Sequence, residues 1–458
     1  MTDGATRALA RYAVGLRFRD IPPEVIARAK DCILDTLAVS LYGSTKPWCR
    51  SVVSYARSLG ARGGSTVFGE SWKAPPPHAA LANGTMAHAF ELDNVRQPGA
   101  GVHPGGTVFI PALAVGEATK ANGKNLLAAF VAGTEVVSRI GVAAGNSVEK
   151  NGFHAPALTG TFGAAAAAGY LLRLNERALV SAFGIAGSYS GGLIEFSRSV
   201  DGAMIKRLHL GKAAEGGIAA ASLARRGFAG PATVLEGEFG FCRSFSREPD
   251  LSYLTHRLGE DFETLNICIK RFACHINAHA PIEALQALRE QHRFAPEDIQ
   301  RIAVAGMEKL VTHHNILSPG DLMSAQYSIP FCVALSVFFD PSDPESFSEK
   351  RLGDRKVLAL TRLVELKVDE AIEKNGWDRA ARVTVHLKDG RAPSQLVVHF
   401  KGTPQNPLSR EELYAKAEKL TRRLLPRAKL ARLTDAVNRL EKLPDVSALG
   451  RMLQRRAR

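Results

Sequence analysis

The sequence lacks the short motifs that hold metals, nucleotides or disulfides. It has no HExxH and no CxxC pair, and its six cysteines are scattered at Cys32, Cys49, Cys242, Cys268, Cys274 and Cys332. This spacing argues against a disulfide framework and predicts a reducing cytoplasm. A phosphate loop would need glycine in place of Lys206, and a dinucleotide fingerprint would need glycine in place of Pro104. We therefore expect no metal and no organic cofactor.

Strongly apolar runs are missing as well. The opening residues, MTDGATRALARYAVGLRFRD, have no apolar core and do not resemble a secretion signal. The uncharged run from Gly152 to Leu172 consists mostly of Ala, Gly and Thr, which is too weakly apolar for a membrane span. We interpret it as a tightly packed internal helix, and we expect no contact with a membrane.

Aromatic residues are scarce in the basic C-terminal tail. The formal net charge is +14, and much of the basic excess lies in that tail. Single-stranded nucleic acids are bound through aromatic stacking as well as charge, so a solvated basic surface is the favoured interpretation. A nucleic-acid-associated or catalytically degenerate binding protein is the non-enzyme alternative.

The spacing of apolar residues predicts a mainly α protein with two domains, as expected for 458 residues. Helical segments rich in Ala and Gly follow one another to about residue 262, and such small side chains let helix backbones approach closely. Short β-branched runs then begin at Ile267, and Asp389-Gly390 predicts a hairpin. We expect a large all-helical domain of residues 1–262, completed by residues 405–458, with residues 263–404 inserted as a smaller α+β domain.

The stretch AHAFELDNVRQPGAGVHPGG concentrates titratable side chains in a loop. Its middle, QPGAG, is predicted to form neither a helix nor a strand. Proline lacks the backbone N–H donor, and ordering glycine in a helix or a strand costs conformational entropy. Polar groups on a loop between apolar helices are typical of an active site. We expect His88, Glu91, Asp93 and His103 to line one site, although a hydrogen-bonded core histidine is an equal alternative for His88.

Three further segments carry histidines and cations. GFHAP places His154 directly before the Ala-rich helix. RFACHINAH, as a helix, would place His275 and His279 on one face, and the missing third ligand argues against zinc there. MIKRLHLGK begins a helix, whose free N–H groups and dipole favour anions. It contributes Lys206, Arg207, His209 and Lys212.

Such a set of histidines, cations and acids suits proton abstraction next to a carboxylate. The cations would hold the carboxyl groups of a substrate, a base would remove the α-proton, and an acid would assist the leaving group. Dehydration, decarboxylation and epimerisation all draw on this chemistry, and the residues alone leave the three open.

Several motifs in order resemble the MmgE/PrpD family, which includes 2-methylcitrate dehydratase, cis-aconitate decarboxylase and iminodisuccinate epimerase. They are RAKDCILDTLAVSLYG, NGTMAHAFELDN with HPGG, GFHAPALTGTFGAAAAAGYLL, DGAMIKRLHLGKAAEGG, FACHINAHAPIEAL, SAQYSIPFCVAL and NPLSREELYAKAEKL. The resemblance spans nearly the whole chain. It implies a helical domain with an α+β lid, a homodimer and a site between the domains that uses no metal or cofactor.

The resemblance also implies roles for individual residues. The acidic motif corresponds to Glu91, Asp93 and Asn94, and the HPG histidine to His103. The motifs that follow correspond to His154, Lys206 and His279.

The acidic motif departs from the D-x-D-D-T common in the family, because Asn94 and Val95 replace an acid and a threonine. Ala273 stands where proline is usual. A decarboxylase therefore fits less well than a dehydratase, and we do not assign cis-aconitate as the substrate on this evidence.

The sequence predicts a cofactor-free lyase of the dehydratase type, acting on a small hydroxy di- or tricarboxylate. An epimerase or a decarboxylase on a related acid is the alternative. We expect Asp93, His103, His154, Lys206 and His279 to be catalytic. We expect seven further residues to bind substrate: His88, Glu91, Asn94, Arg207, His209, Lys212 and His275.

Overall fold

A computed structural model describes residues 4–197 and 202–455, and most of them form α-helices. This confirms the mainly α class. The chain folds into two compact units, the first built from the described residues of Met1–Arg198, Met204–Cys268 and Arg410–Arg458. The second unit is formed chiefly by Ile269–Ser409, so along the chain it lies between two stretches of the first.

The first unit, unit 1, is helical. Its longer helices are Ala5–Gly15, Pro23–Gly43, Pro47–Ser58, Pro76–Ala87, Ile110–Thr119, Gly123–Ala144, Ala155–Leu171, Glu176–Tyr189, Ile205–Arg225, Arg410–Thr421 and Arg427–Asn438. Shorter helices are Ser147–Lys150, Phe241–Phe245 and Ser447–Leu453. Several begin with proline in the first turn, where its missing N–H costs nothing. Asn122 and Asn175 cap two others by accepting a backbone N–H.

The centre of unit 1 is built from helices that touch through small residues. Helix Ile205–Arg225 packs against Pro76–Ala87 and Ala155–Leu171. A Cβ atom added at Gly211 would lie 2.2 Å from the carbonyl oxygen of Leu81, and Gly84 faces the same crossing. The expectation of close helix approach is thus confirmed, and this crossing brings the end of one helix to the start of the other.

Helix Gly123–Ala144 is long and apolar enough to cross a membrane, but 94% of its apolar stretch is buried inside the protein. It is the core helix of unit 1. The uncharged run expected to be an internal helix forms Ala155–Leu171, whose residues are also almost all buried.

Unit 1 contains two short antiparallel strand pairs. Ser65–Thr66 pairs with Lys73–Ala74. Val95–Arg96, directly after the acidic motif, pairs with Ile267–Cys268. The β-branched run beginning at Ile267, which the sequence groups with the second domain, therefore contacts the acidic loop inside unit 1.

The second unit, unit 2, contains a four-stranded sheet in the order Val364–Val368, Ile299–Gly306, Ala381–Leu387 and Ser394–Val397. The first pair is parallel and the other two are antiparallel. The last two strands form the predicted hairpin around Asp389-Gly390. The helices of unit 2 are His279–His292, Glu308–His314, Leu322–Tyr327, Ile329–Phe338, Glu349–Leu352, Arg355–Thr361 and Glu370–Lys374.

Candidate functional site

The acidic loop follows directly on a helix of unit 1. Helix Pro76–Ala87 ends with His88 as its C-cap. Glu91 has a φ of 56°, in the left-handed region that a non-glycine residue seldom adopts. A helix cannot continue through this conformation, so Glu91 and Asp93 lie on a buried loop, and such backbone strain is concentrated at functional sites.

Asp93 is the centre of the site. One of its carboxylate oxygens, Oδ2, lies 2.9 Å from Nδ1 of His88 and 2.8 Å from Nδ1 of His103. The His88 contact is a hydrogen bond, whereas the His103 contact is close without hydrogen-bond geometry. The structure therefore brings together His88, Asp93 and His103, as predicted. The His103 side chain is 11% exposed, and those of Asp93 and His88 are fully buried.

The hydrogen bond to Asp93 determines the chemistry of His88. Its Nδ1–H donates to the carboxylate, which leaves Nε2 unprotonated in the neutral ring. Burial lowers the pKa of His88 to about 4, although Asp93 raises it. The neighbouring imidazoles hold the pKa of the Asp93 carboxyl well below its usual value, against the effect of burial. At neutral pH an ionised carboxylate thus faces a neutral imidazole.

Three side-chain atoms of this group have no hydrogen-bond partner within the described part of the protein. They are Nε2 of His88, Oδ1 of Asp93 and Nδ1 of His103, and all three atoms are buried. Buried polar atoms are nearly always bonded, so exceptions in a native fold call for an explanation such as a ligand or water.

Glu91 holds the two cations at the start of helix Ile205–Arg225. Its Oε1 accepts hydrogen bonds from Lys206 and, at 2.6 Å, from Arg207, and all three side chains are buried. The formal charges of the three groups add to +1. The structure therefore brings together Glu91, Lys206 and Arg207, and their net charge suits an anionic ligand.

His154 and His209 form a second imidazole pair. Their Nδ1 atoms lie 2.9 Å apart, so one ring donates a proton and the other accepts it. Burial, followed by the charge of Lys206, lowers the pKa of both, that of His209 to about 4. The ring centres of His154 and His88 are 6.0 Å apart, which joins this pair to the Asp93 group.

Two predicted substrate-binding residues are placed differently. Lys212 is not brought to this cluster: its side chain is 69% exposed and forms an ion pair with Glu215 at 2.6 Å. Asn94 is buried beside Asp93, but its amide is hydrogen-bonded to Asp35 and Gly105. The roles of Lys212 and Asn94 in substrate binding stay predictions. The hydrogen bonds that Asn94 makes are to other residues of the protein.

His275 and His279, in unit 2, do not share one helix. A 3₁₀ turn, Ile276–Ala278, separates them, and the α-helix begins at His279. His275 accepts the N–H of Asn277 and packs on the ring of His314, with ring centres 4.2 Å apart. The ring of His279 is buried beside those of Phe272 and Phe400. Their catalytic or binding roles stay predictions.

Two residues next to the loop were missed by the sequence analysis. Asp35, on helix Pro23–Gly43, accepts hydrogen bonds from Asn94 and from Lys416, on helix Arg410–Thr421. Both lie inside the motifs that carried the family resemblance. Neither has a neighbouring titratable residue pattern that would have marked it as part of the site.

Among the described residues, one group has the donor atoms of a metal site. It is His88, Asp93 and His103, whose candidate ligand atoms lie within 4.8 Å of one another. The Nδ1–H of His88 is already donated to Asp93, and the nearby Lys206 adds positive charge. A metal ion would have to displace that proton and overcome that charge, so the group suits proton transfer better than ligation.

Comparisons with known proteins cover almost the whole chain. The sequence profile of the MmgE/PrpD N-terminal domain matches residues 7–254, and that of the MmgE/PrpD C-terminal domain matches residues 272–442. A cis-aconitate decarboxylase-like protein of Aspergillus oryzae is 30% identical, over 97% of this chain and 96% of its own length.

Two mammalian relatives give a similar result. The cis-aconitate decarboxylase of Mus musculus is 28% identical over 99% of this chain and 94% of its own. That of Homo sapiens is 28% identical over 99% of this chain and 95% of its own.

Proposed function

We propose that this chain, which belongs to the MmgE/PrpD family, is a lyase that removes water from a small hydroxy tricarboxylate or dicarboxylate without a cofactor. The named relatives are enzymes, and they support the broader assignment of a dehydratase or decarboxylase type of reaction. The homodimer and the cytoplasmic location expected from the sequence stay predictions.

The observation that carries this proposal is the contact of Asp93 with two imidazoles. A carboxylate beside an imidazole stabilises the imidazolium that forms when the ring accepts a proton. Of the two rings, His103 is the more accessible, since its side chain is 11% exposed and that of His88 is fully buried. We assign the base to His103, with Asp93 as the group that stabilises its protonated form.

The electrostatics around this base favour a carboxylate substrate. Lys206 and Arg207 both donate to the carboxylate of Glu91, so two buried cations lie side by side at the start of this helix. A carboxylate bound there would acidify its α-proton, because positive charge stabilises the carbanion-like transition state. Buried cations act more strongly than exposed ones, since water screens them less.

The dehydration balances within this set of groups. His103 takes the α-proton, the electron pair of the C–H bond forms the carbon–carbon double bond, and the C–O bond breaks. The hydroxyl leaves with a proton as water. We assign the relay of that proton to the His154–His209 pair: the ring that accepts at Nδ1 gives its Nε2 proton to the hydroxyl and takes the shared Nδ1 proton, and its partner takes a proton from water at Nε2.

Decarboxylation is the second candidate, because three relatives that match nearly end to end are cis-aconitate decarboxylases or similar to one. In that reaction a C–C bond breaks, CO₂ leaves, the electron pair shifts through the alkene and a proton is delivered to carbon. In the sequence, the amide at position 94 argues against a decarboxylase. The structure weakens this argument, since the Asn94 side chain is hydrogen-bonded inside unit 1.

The test is incubation of the purified full chain in D₂O with citrate, 2-methylcitrate, cis-aconitate and malate-like or iminodisuccinate-like acids, followed by ¹H and ¹³C NMR. A new alkene that retains all carbons of the substrate supports dehydration. Release of ¹³C-labelled CO₂ from a ¹³C-labelled substrate supports decarboxylation. α-Deuterium alone would identify an epimerase. No change with any acid, in folded protein, would contradict the assignment.

Two controls accompany this screen. His103→Gln should lower turnover by about 10²- to 10⁴-fold, the usual contribution of a general base. His256→Gln, an exposed histidine in unit 1, should leave it unchanged. Activity that disappears after dialysis against a chelator and returns with Zn²⁺ would instead assign His88, Asp93 and His103 to a metal.

A further inference from the structure

The Asn94 side chain makes all its hydrogen bonds inside unit 1. Its Oδ1 accepts the backbone N–H of Gly105 at 3.0 Å, and because that N–H needs an acceptor, the orientation of the amide is fixed. Its Nδ2 therefore points the other way. It lies 3.0 Å from Asp35 Oδ2, 3.0 Å from Thr36 Oγ1 and 3.2 Å from the carbonyl oxygen of Cys32.

Asp35 is a buried carboxylate with a partner on each oxygen. Oδ2 accepts from Asn94, and Oδ1 accepts from the ammonium of Lys416. Lys416 also donates to the carbonyl oxygen of Leu92 at 2.9 Å. Burial raises the pKa of Asp35, while Lys416 and Asn94 act in the opposite direction. A buried carboxylate tolerates the loss of water only when it is paired in this way.

These bonds hold the chain on both sides of Asp93. The residue before it, Leu92, is fixed through its carbonyl by Lys416, and the residue after it, Asn94, is fixed through its amide by Asp35. The Asp93 carboxylate then faces His88 and His103 on the other side. A displacement of about 1 Å at such a group lowers a reaction rate about 10²-fold, because the reacting atoms are misaligned.

We propose that Asn94, Asp35 and Lys416 form a positioning network that sets the Asp93 carboxylate against His88 and His103. The proposal deepens the assignment of Asp93 as the support of the base, and it rests on that proposed function. The three residues are positioning residues, which act on the reaction through Asp93.

The network also gives a physical reason for the amide at position 94. An aspartate there would place a second acceptor oxygen 3.0 Å from Asp35 Oδ2, where Nδ2 now lies, with no proton between them at neutral pH. The amide is thus matched to Asp35.

The test exchanges the two residues. Asp35→Asn leaves one acceptor for two donors, and Asn94→Asp places two carboxylates side by side. The double variant, Asp35→Asn with Asn94→Asp, restores one carboxylate and one amide, and the amide oxygen of residue 35 can accept the hydrogen bond from Lys416. Each single variant should lower kcat about ten- to a hundredfold with KM changed less than threefold, and the double variant should recover most of the loss.

The measurement uses the substrate found in the acid screen, at a temperature where circular dichroism shows every variant folded. Lys416→Met should lower kcat like the single variants. Lys419→Met, one turn along the same helix and only partly buried, should leave kcat unchanged. Folded single variants with full kcat, or a double variant no better than the worse single one, would overturn the proposal.

A second measurement needs no substrate. Long-range ¹H–¹⁵N NMR of the imidazoles in the full chain reports which nitrogen of each ring carries the proton. We expect the Nδ1–H form of His88 in the wild type and in the exchanged double variant, and a mixture of forms in each folded single variant. Unchanged spectra in the single variants would overturn the network, while absent turnover with changed spectra would count against the proposed function alone.

Discussion

At Asp93 a single carboxylate oxygen faces the Nδ1 atoms of two imidazole rings. The hydrogen bond to His88 fixes the tautomer of that ring. The same oxygen also lies 2.8 Å from Nδ1 of the more accessible His103, so one carboxylate contacts both a fully buried ring and a partly exposed one.

Lys206 and Lys212, both on helix Ile205–Arg225, provide a test at the scale of single residues. Lys206→Met should lower kcat/KM by about 10²-fold or more, because it removes a buried charge placed at the developing negative charge. The fold should be retained, since Glu91 keeps Arg207 as a partner at 2.6 Å.

Lys212→Met is the matched comparison, because its side chain is 69% exposed on the same helix. We expect steady-state kinetics close to wild type for this variant. An equal loss of activity in both variants would restore the sequence interpretation, in which Lys206 is catalytic and Lys212 binds substrate.

The low pKa of His88 predicts how stability depends on pH. The unfolded chain binds a proton at this residue near pH 6.5, whereas the folded protein does so only near pH 4. Between these values the unfolded state holds more protons, so stability falls as the pH is lowered from 6.5 towards 4. The loss from His88 should reach about 3 kcal/mol, and other buried histidines with lowered pKa values should add to it.

Urea unfolding at pH 7.5 and pH 5 measures this effect, with His88→Gln as the comparison. The variant should have a smaller difference between the two pH values, because it lacks the group that binds the extra proton. A pH difference as large in the variant as in the wild type would show that the native fold does not lower the pKa of His88.

The sequence was sufficient for the site residues that are close together along the chain. His88, Glu91, Asp93 and His103 lie within sixteen positions of the sequence, and the structure brings three of them together at the Asp93 carboxylate, with Glu91 beside them on Lys206 and Arg207. Lys416 could not be predicted, because it lies 381 residues from its partner Asp35, and a lone lysine on a helix usually marks a solvated face. Only the fold shows that this lysine is buried.

At the scale of elements, the crossing of helices Pro76–Ala87 and Ile205–Arg225 determines where the site forms. Gly84 and Gly211 let the two backbones touch, which places the C-cap residue His88 near Lys206 and Arg207. The sequence predicted these helices from their small residues. The end of the first helix at Ala87 is followed by the left-handed conformation of Glu91, which no sequence pattern indicates.

Gly211→Ala tests this crossing. The added methyl would lie 2.2 Å from the carbonyl oxygen of Leu81, so the backbones would have to separate, at a cost of about 1–3 kcal/mol. Gly15→Ala is the control, since a Cβ there meets nothing within 4 Å and alanine favours a helix. Thermal unfolding should show a lower Tm for the first variant and an equal or higher Tm for the second.

At the scale of the whole molecule, the basic tail is the feature that the proposed function leaves unused. Arg451 and Arg455 are exposed, and Arg456 and Arg458 lie outside the described residues. Changing these four arginines to glutamine should leave turnover unchanged and weaken any salt-sensitive association with DNA or RNA. A folded wild-type protein that has no turnover, but binds DNA or RNA through these arginines, would favour the nucleic-acid alternative. A fluorescence anisotropy titration at two salt concentrations measures the association.

The return of the chain to unit 1 after residue 409 was visible in the sequence as a change back to helical spacing. The reason for that return was not visible. Helix Arg410–Thr421 packs on helix Pro23–Gly43, and Lys416 lies at this contact, beneath the acidic loop. The first of the tail helices therefore supports the acidic loop from below, in addition to forming part of the protein surface.

The position of Lys416 has a consequence for the order in which the protein is made. Helix Pro23–Gly43 and the acidic loop leave the ribosome early, but Asp35 has no cationic partner from helix Arg410–Thr421 until the rest of both units has been synthesised. A nascent chain can therefore assemble the histidines and acids of the site before it can hold them in place. Enzymatic competence should arise as a late, abrupt step of biosynthesis, and a translation product that stops before this helix should be an inactive species.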